Sequence, residues 1–188
     1  MTNSSFLVAL ETVVAELRTR AHTHFAGLDE SLLNQRSAPT SWSILECLEH
    51  LNRYSRYYNA AFARALARPD LLSSQPMEVS YTWLGRKAVE MMHPATAKQS
   101  KTLKRLNPLG SRLGREVLTE FDQHQARLLE LLSQAHRADL HRKVIPVEFF
   151  RLLKLRLGEA LEFVVVHQQR HVRQAQRVQA TVRAELAC

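Results

Sequence analysis

Apolar residues recur at intervals of three and four along four long stretches of the chain, the spacing that gathers side chains onto one face of an α-helix. Phe6, Leu10, Val13, Val14, Leu17 and Ala21 mark the first, over residues 3–26, with Asn3, Ser4 or Ser5 as N-cap and Gly27 placed to end it. The second covers residues 42–67 and carries Ile44, Leu45, Leu48, Leu51, Ser55, Tyr58, Phe62 and Leu66. Ser41 or Ser43 caps it, Ser43 and Glu46 standing at capping-box spacing, and Pro69 stops it. The third, over 111–137, shows Leu113, Val117, Leu118, Phe121, Leu128, Leu129, Leu131 and Leu132. The fourth, over 157–184, shows Leu157, Leu161, Val164, His167, Gln168, His171, Ala175, Val178 and Val182. A shorter pattern in residues 81–93, with Trp83, Leu84, Ala88, Met91 and Met92, predicts an extra helix closed by His93-Pro94.

Between these stretches the chain is polar. Residues 28–41 read as a connection rich in Ser, Asn and Pro, 68–80 as a break marked by Pro69 and Pro76, and 95–110 as a solvated loop. Ile145-Pro146-Val147 leads through a short helical turn into the fourth helix. No strand alternation or hairpin signal is expected anywhere. The fold class that follows is all-α: one domain over residues 1–188, a four-helix bundle plus a short extra helix.

Composition agrees with that picture and narrows the function classes. A chain of 188 residues that is 45% hydrophobic, with only five Gly and six Pro, can bury a core without staples. Its two cysteines, Cys47 and Cys188, make no disulfide framework, so a cytoplasmic setting is expected. Neither a signal peptide nor an apolar run of membrane-spanning length is present, and no membrane association is expected. The formal charge of +8 admits a competing class, a basic nucleic-acid-binding module that is not an enzyme. Its best segment contains Lys98, Lys101, Lys104, Arg105, Arg112 and Arg115 but lacks the interleaved aromatics of a single-strand groove. Nucleic acid is therefore not the favoured partner.

The chemistry worth weighing sits on the fourth helix. His167 and His171, four apart, project from one face, where two imidazoles can share an ion. Two ligands do not complete a metal site, and His50, flanking the apolar stripe of the second helix, is the candidate third. The same pair also reads as core histidines satisfied by hydrogen bonds, and spacing alone does not separate the two. His22 and His24 fall in the last turn of the first helix and read as cap or surface residues. Cys47 reads as a buried thiol rather than a nucleophile, and no phosphate loop or nucleophile elbow occurs.

Two segments resemble a known family. Trp42-Ser43-Ile44-Leu45-Glu46-Cys47-Leu48-Glu49-His50-Leu51 is similar to the "WS…HL" signature opening the second helix of DinB/YfiT-like proteins. His167-Gln168-Gln169-Arg170-His171-Val172-Arg173-Gln174 is similar to their C-terminal "H-x-x-R-H-x-x-Q" helix. The resemblance implies a four-helix bundle with a crossover connection, and a divalent metal, zinc or nickel, on His50, His167 and His171 with one position open. It also implies hydrolase chemistry, or transferase chemistry with a low-molecular-weight thiol as cosubstrate, on an unidentified small-molecule substrate. A homodimer is compatible with it, and a bundle with a purely structural metal is the alternative. Glu46, Gln168 and Gln174 are sequence-near candidates for orienting the imidazoles, though each taken alone reads as helix-surface polarity.

Overall fold

The computed structural model describes residues 1–68, 78–95, 102–148 and 150–186. Four long helices dominate: α1 (Asn3–Phe25), α3 (Ile44–Leu66), α5 (Glu116–Ala135) and α6 (Leu157–Leu186). Two short helices, α2 (Glu30–Asn34) and α4 (Trp83–Met92), and a hairpin of β1 (Val144–Val147) and β2 (Phe150–Arg156) lie in the connections. α3 begins where the sequence places its signal. The Ser43 side chain accepts from the Glu46 amide while the Glu46 carboxylate accepts from the Ser43 amide, a complete capping box. α1 is capped by Thr2 rather than by Asn3, Ser4 or Ser5, and ends through Ala26 without a left-handed Gly27. Pro69, Lys98, Lys101 and Cys188 lie outside the described residues.

Several expectations need correction. The third helix starts at Glu116 and not at 111, leaving Leu113 in the connection, and the expected solvated loop contains a short 3-10 turn, Lys104–Leu106, with Leu106 buried. The 28–41 connection holds a short helix, α2, that its sequence did not announce. The stretch before the fourth helix is a hairpin and not a helical turn. Ile145, Val147 and Leu155 point into the core, while Val144, Leu152 and Lys154 point out, so a two-residue alternation is present after all. Pro146 and the adjacent Leu152-Leu153 obscure it in the sequence, and no Asn-Gly or Asp-Gly turn announces it. The hairpin is held to the bundle by Tyr57, whose hydroxyl donates to the Pro146 carbonyl, and by the Glu148 amide donating to the Tyr58 hydroxyl. The all-α bundle class stands.

Helix directions follow from side-chain pairs. Asn52 reaches the Val117 carbonyl, Arg56 reaches Glu120 and Asn59 reaches the His124 carbonyl, so α3 and α5 run parallel. Rings pair as His50 with His171, Tyr54 with His167 and Tyr58 with Phe163, so α3 and α6 run antiparallel. α5 packs between α1 and α3, and α6 packs between them on the opposite side. Because α3 and α5 are parallel neighbours, the chain between them has to travel back along the bundle. This is the crossover connection, and it carries α4.

The apolar core is in two parts. One gathers Phe6, Leu10, Val14, Tyr58, Phe62, Leu128, Leu131, Leu161 and Val164. The other gathers Leu17, Phe25, Ile44, Leu48, Leu51, Phe121, Val172 and Val178. Between them lies a belt of buried polar side chains: Asn52 and Ser55 on α3, Gln125 on α5, and His167 and Gln168 on α6. The histidines thus sit at a polar waist rather than within a continuous stripe.

α4 is fastened by an acid of α6. Glu159, buried, accepts from the Thr82 amide at 2.5 Å and the Thr82 hydroxyl at 2.8 Å with one oxygen, and from the Arg156 amide at 2.8 Å with the other. Its negative charge lies at the starts of both α4 and α6, where helix dipoles favour it. Tyr81 donates to Glu162, and Arg170 donates to the Met91 carbonyl at the far end of α4. A Cβ at Gly85 would overlap the end of the Glu159 side chain, so any larger residue fits here only if that carboxylate moves from its cap. Gly85→Ala should expel Glu159 from its cap and cost about 3 to 6 kcal/mol, the scale of two charge-assisted hydrogen bonds. Hydrogen exchange would show it as faster exchange of α4 amides, with α3 and α5 protected as before; unchanged α4 protection would refute the role given to Gly85.

Candidate metal centre

His50, His167 and His171 meet at the waist, brought from α3 and α6 onto one spot. One ring nitrogen from each lies within 4.8 Å of the other two. The Nε2 atoms of His50 and His167 are 3.2 Å apart. Two imidazole nitrogens bound to one zinc ion at tetrahedral angles stand about 3.4 Å apart, so the spacing suits such an ion with little movement. His50 and His167 are 2% and 4% exposed, while His171 is only partly buried and marks the side facing solvent. Aromatic rings wall the cluster. Trp42 packs on His50 and His171 with centroids 4.7 and 5.5 Å away, and Tyr54 packs on His167 and His50 at 4.4 and 5.0 Å.

Two of the outward nitrogens are engaged. His50 Nδ1 lies 2.7 Å from the Leu106 carbonyl, which can only accept, so Nδ1 carries the proton and Nε2 presents a lone pair. His171 Nδ1 lies 2.9 Å from Gln174 Oε1 and donates in the same way. With His50 Nε2 an acceptor, His167 Nε2 is the donor between them while no ion is bound. Both outward contacts are those that orient imidazole ligands in metal sites and fix their tautomer.

All three imidazoles are held neutral. Burial lowers the pKa of His50 to about 4 and that of His171 to about 3, the latter helped by the neighbouring His50. For His167 burial again leads, with His171 and His50 beside it, and its pKa falls well below the ordinary value. Neutral imidazole is the form that binds metal. Cys47 is buried and its thiol is pushed strongly upward by burial, which makes it a packing residue and no nucleophile.

The three residues taken from sequence as orienting groups fare differently. Gln174 holds His171 directly. Glu46 is wholly buried rather than on the surface and serves the loop that carries Leu106. Gln168 is buried beside His167, and its Oε1 has no hydrogen-bond partner among the described residues. The Leu106 carbonyl was not legible at all, since a backbone acceptor leaves no mark in residue type. The remaining six histidines lie elsewhere: His22 and His24 are exposed, as expected, His93 accepts from the Ala95 amide, His141 meets the Ser80 hydroxyl, His124 pairs with Glu120 and His136 with Glu11. Arg105 and Arg115 of the basic run are occupied, by Glu148 and by the Ala26 and Leu28 carbonyls.

The depressed histidines carry a pH consequence for the metal-free protein. An unfolded imidazole takes up a proton near pH 6.5, whereas folded His50 refuses one until about pH 4. Within that window the unfolded state binds more protons, so stability rises with pH by at most about 1.4 kcal/mol per unit for each histidine. Denaturation of metal-free protein should therefore show stability falling steadily from pH 6.5 towards 4, and His50→Gln should flatten the slope by up to one proton. A slope unaltered by the substitution would contradict the burial of a neutral His50.

Comparison with known proteins places this geometry. No curated protein matches the chain by sequence. Among solved structures it is similar to YfiT from Bacillus subtilis, a probable metal-dependent hydrolase with an unusual four-helix bundle topology. The TM-score is 0.57 at 14% identity, over 93% of this chain and 86% of that one, a likeness of fold. The sequence pattern of the DinB superfamily matches residues 14–175, a span that contains α3, the crossover and both histidines of α6. The chain belongs to the DinB superfamily.

Proposed function

We propose that this protein is a metal-dependent enzyme in which His50, His167 and His171 hold one divalent ion, with a further position open to a small molecule. The observation that carries the reading is the convergence of three neutral imidazoles from two helices, two of them with the outward nitrogen already hydrogen-bonded. Burying three such rings in contact costs desolvation of their polar nitrogens, and a shared ion offsets that cost. Imidazole donors favour zinc or nickel. When bound, the ion supplies a lowered pKa to a coordinated water or thiol, and with it a nucleophile near neutral pH.

The chain's own groups define the rest of the site. Trp42 and Tyr54 pack their rings against the cluster. Tyr54 is held as the phenol, burial raising its pKa to about 12, so its hydroxyl is able to donate at neutral pH. Glu46 and Glu49 are committed to arginines, which leaves the histidines as the cluster's own titratable groups among the described residues. The chemistry we favour is hydrolysis or thiol-dependent group transfer on a small molecule, since an ion on three neutral imidazoles with a position left open activates a bound water or thiol. Arg170, near the motif, donates to α4, and Arg173 is exposed, so neither has a structural argument as the anchor of a thiol's carboxylate.

Purified protein reconstituted with zinc or nickel should hold about one ion per chain, and His167→Ala should abolish binding while circular dichroism remains helical. Sub-stoichiometric metal after reconstitution counts against the proposal. Protons compete with the ion for the same nitrogens, and burial moves that competition below the range of a free imidazole. Metal affinity of the folded protein should thus persist into mildly acidic buffer. The metal-dependent gain in melting temperature should vanish in His50→Ala; a gain that survives there removes His50 from the site. A panel of thiols with electrophilic acceptors separates the chemistries. Turnover without thiol supports hydrolysis, thiol-dependent turnover supports transfer, and activity indifferent to metal removal defeats both.

A further inference from the structure

α3 presents Glu46, Glu49, His50 and Arg53 at spacings of three and four, which places them along one face. The end of the crossover, residues 105–111, lies across that face and is gripped on both sides of His50. On one side Glu46 accepts from the Gly110 amide at 2.6 Å and the Ser111 amide at 3.2 Å. Its carboxylate is fixed by a two-bond pair with Arg36 at 2.7 and 2.8 Å, and Arg36 also reaches the Ser111 carbonyl at 3.5 Å. Gly110 has φ of 89°, a left-handed conformation that disfavours any side chain where its amide turns to Glu46. On the other side Arg53, held by Glu49 at 2.8 Å, donates to the Arg105 carbonyl at 3.2 Å and the Asn107 carbonyl at 3.4 Å. Trp42 adds a bond to the Asn107 side chain at 2.9 Å. Between the two grips the Leu106 carbonyl meets His50 Nδ1 at 2.7 Å, and the Leu106 side chain is buried in the core.

We propose that Glu46 and Arg53 are positioning residues of the histidine cluster. Each holds one end of the 105–111 strap, the strap presents the Leu106 carbonyl to His50 Nδ1, and that contact decides which nitrogen of His50 faces His167 and His171. Neither residue hydrogen-bonds to the cluster, and the contacts by which each fixes the orientation of the His50 ring run through the strap. A carbonyl that only accepts leaves His50 one neutral tautomer, the one with its lone pair on Nε2. Were the strap to lift by an ångström or so, that bond would pass beyond hydrogen-bonding distance and the ring would be free to turn or to move its proton. The consequence for metal affinity rests on the proposed metal reading, whereas the tautomer does not depend on it.

The test uses the full chain with Glu46→Gln and Arg53→Met, and Leu131→Ala as a core-destabilised control remote from the strap. In metal-free protein at neutral pH, histidine 15N shifts should report His50 as a single Nδ1–H tautomer in wild type and in Leu131→Ala. Both strap variants should show a mixture. Zinc affinity, read by competition with a chromophoric chelator, should fall about 10- to 100-fold in the strap variants and stay at the wild-type level in the folded control. Cobalt-loaded strap variants should shift in visible absorption. The proposal is overturned if the strap variants retain the tautomer, or if Leu131→Ala weakens zinc as much as they do. Should Glu46→Gln fail to fold, Arg53→Met decides alone. If the tautomer responds as expected and yet no form of the protein binds metal, the metal reading fails and the positioning role stands.

Discussion

Parallel packing of α3 against α5 is the constraint on which the rest of the structure depends. Neighbouring helices joined by a short loop must be antiparallel, so a parallel pair forces the chain to return along the bundle before the second helix can begin. That return is not idle. It lays α4 along α6, with Glu159 capping it from below and Arg170 meeting its last turn. It then brings residues 105–111 across α3, so that a backbone carbonyl arrives where His50 has a nitrogen to satisfy.

The bundle accepts polar groups in its centre, and the two-part core shows how. Leucine and phenylalanine layers above and below supply the apolar burial that a domain of this size requires. The belt between them carries side chains whose burial is unfavourable unless they are paired. Most are. Asn52 and Asn59 donate to α5 carbonyls, Glu46 and Glu49 hold arginines, and two histidines hold outward acceptors. Gln125, wholly buried, has no protein partner for its side-chain oxygen or nitrogen among the described residues. Conflict between local preference and burial of this kind concentrates where a protein does chemistry.

Electrostatics and packing act together at the cluster. Removing water lowers the proton affinity of all three rings, and the arginines nearby, Arg53 towards His50 and Arg170 towards His167 and His171, push in the same direction. A site so arranged keeps its nitrogen lone pairs available over a wider acid range than free imidazole. The net charge of +8 therefore has a local reading beside its global one: some of its cations grip the strap and the ends of helices.

The sequence by itself determined the four long helices, because three- and four-residue apolar spacing is a local property and each helix needs only a face to bury. Ser43 and Glu46 stated where α3 begins, since a capping box involves a single turn of chain. The spacing of His167 and His171 and the segment from Trp42 to Leu51 marked the residues that later converge. What only the tertiary structure decided is everything that joins distant residues: that His50 reaches His167 across 117 positions, and that the Leu106 carbonyl arrives to fix it. Glu46 looked like a solvated helix residue because its partners, Arg36, Gly110 and Ser111, are separated from it in sequence by loops. The hairpin before α6 escaped notice for the same reason, since a strand of four residues containing a proline gains its ladder only from its partner.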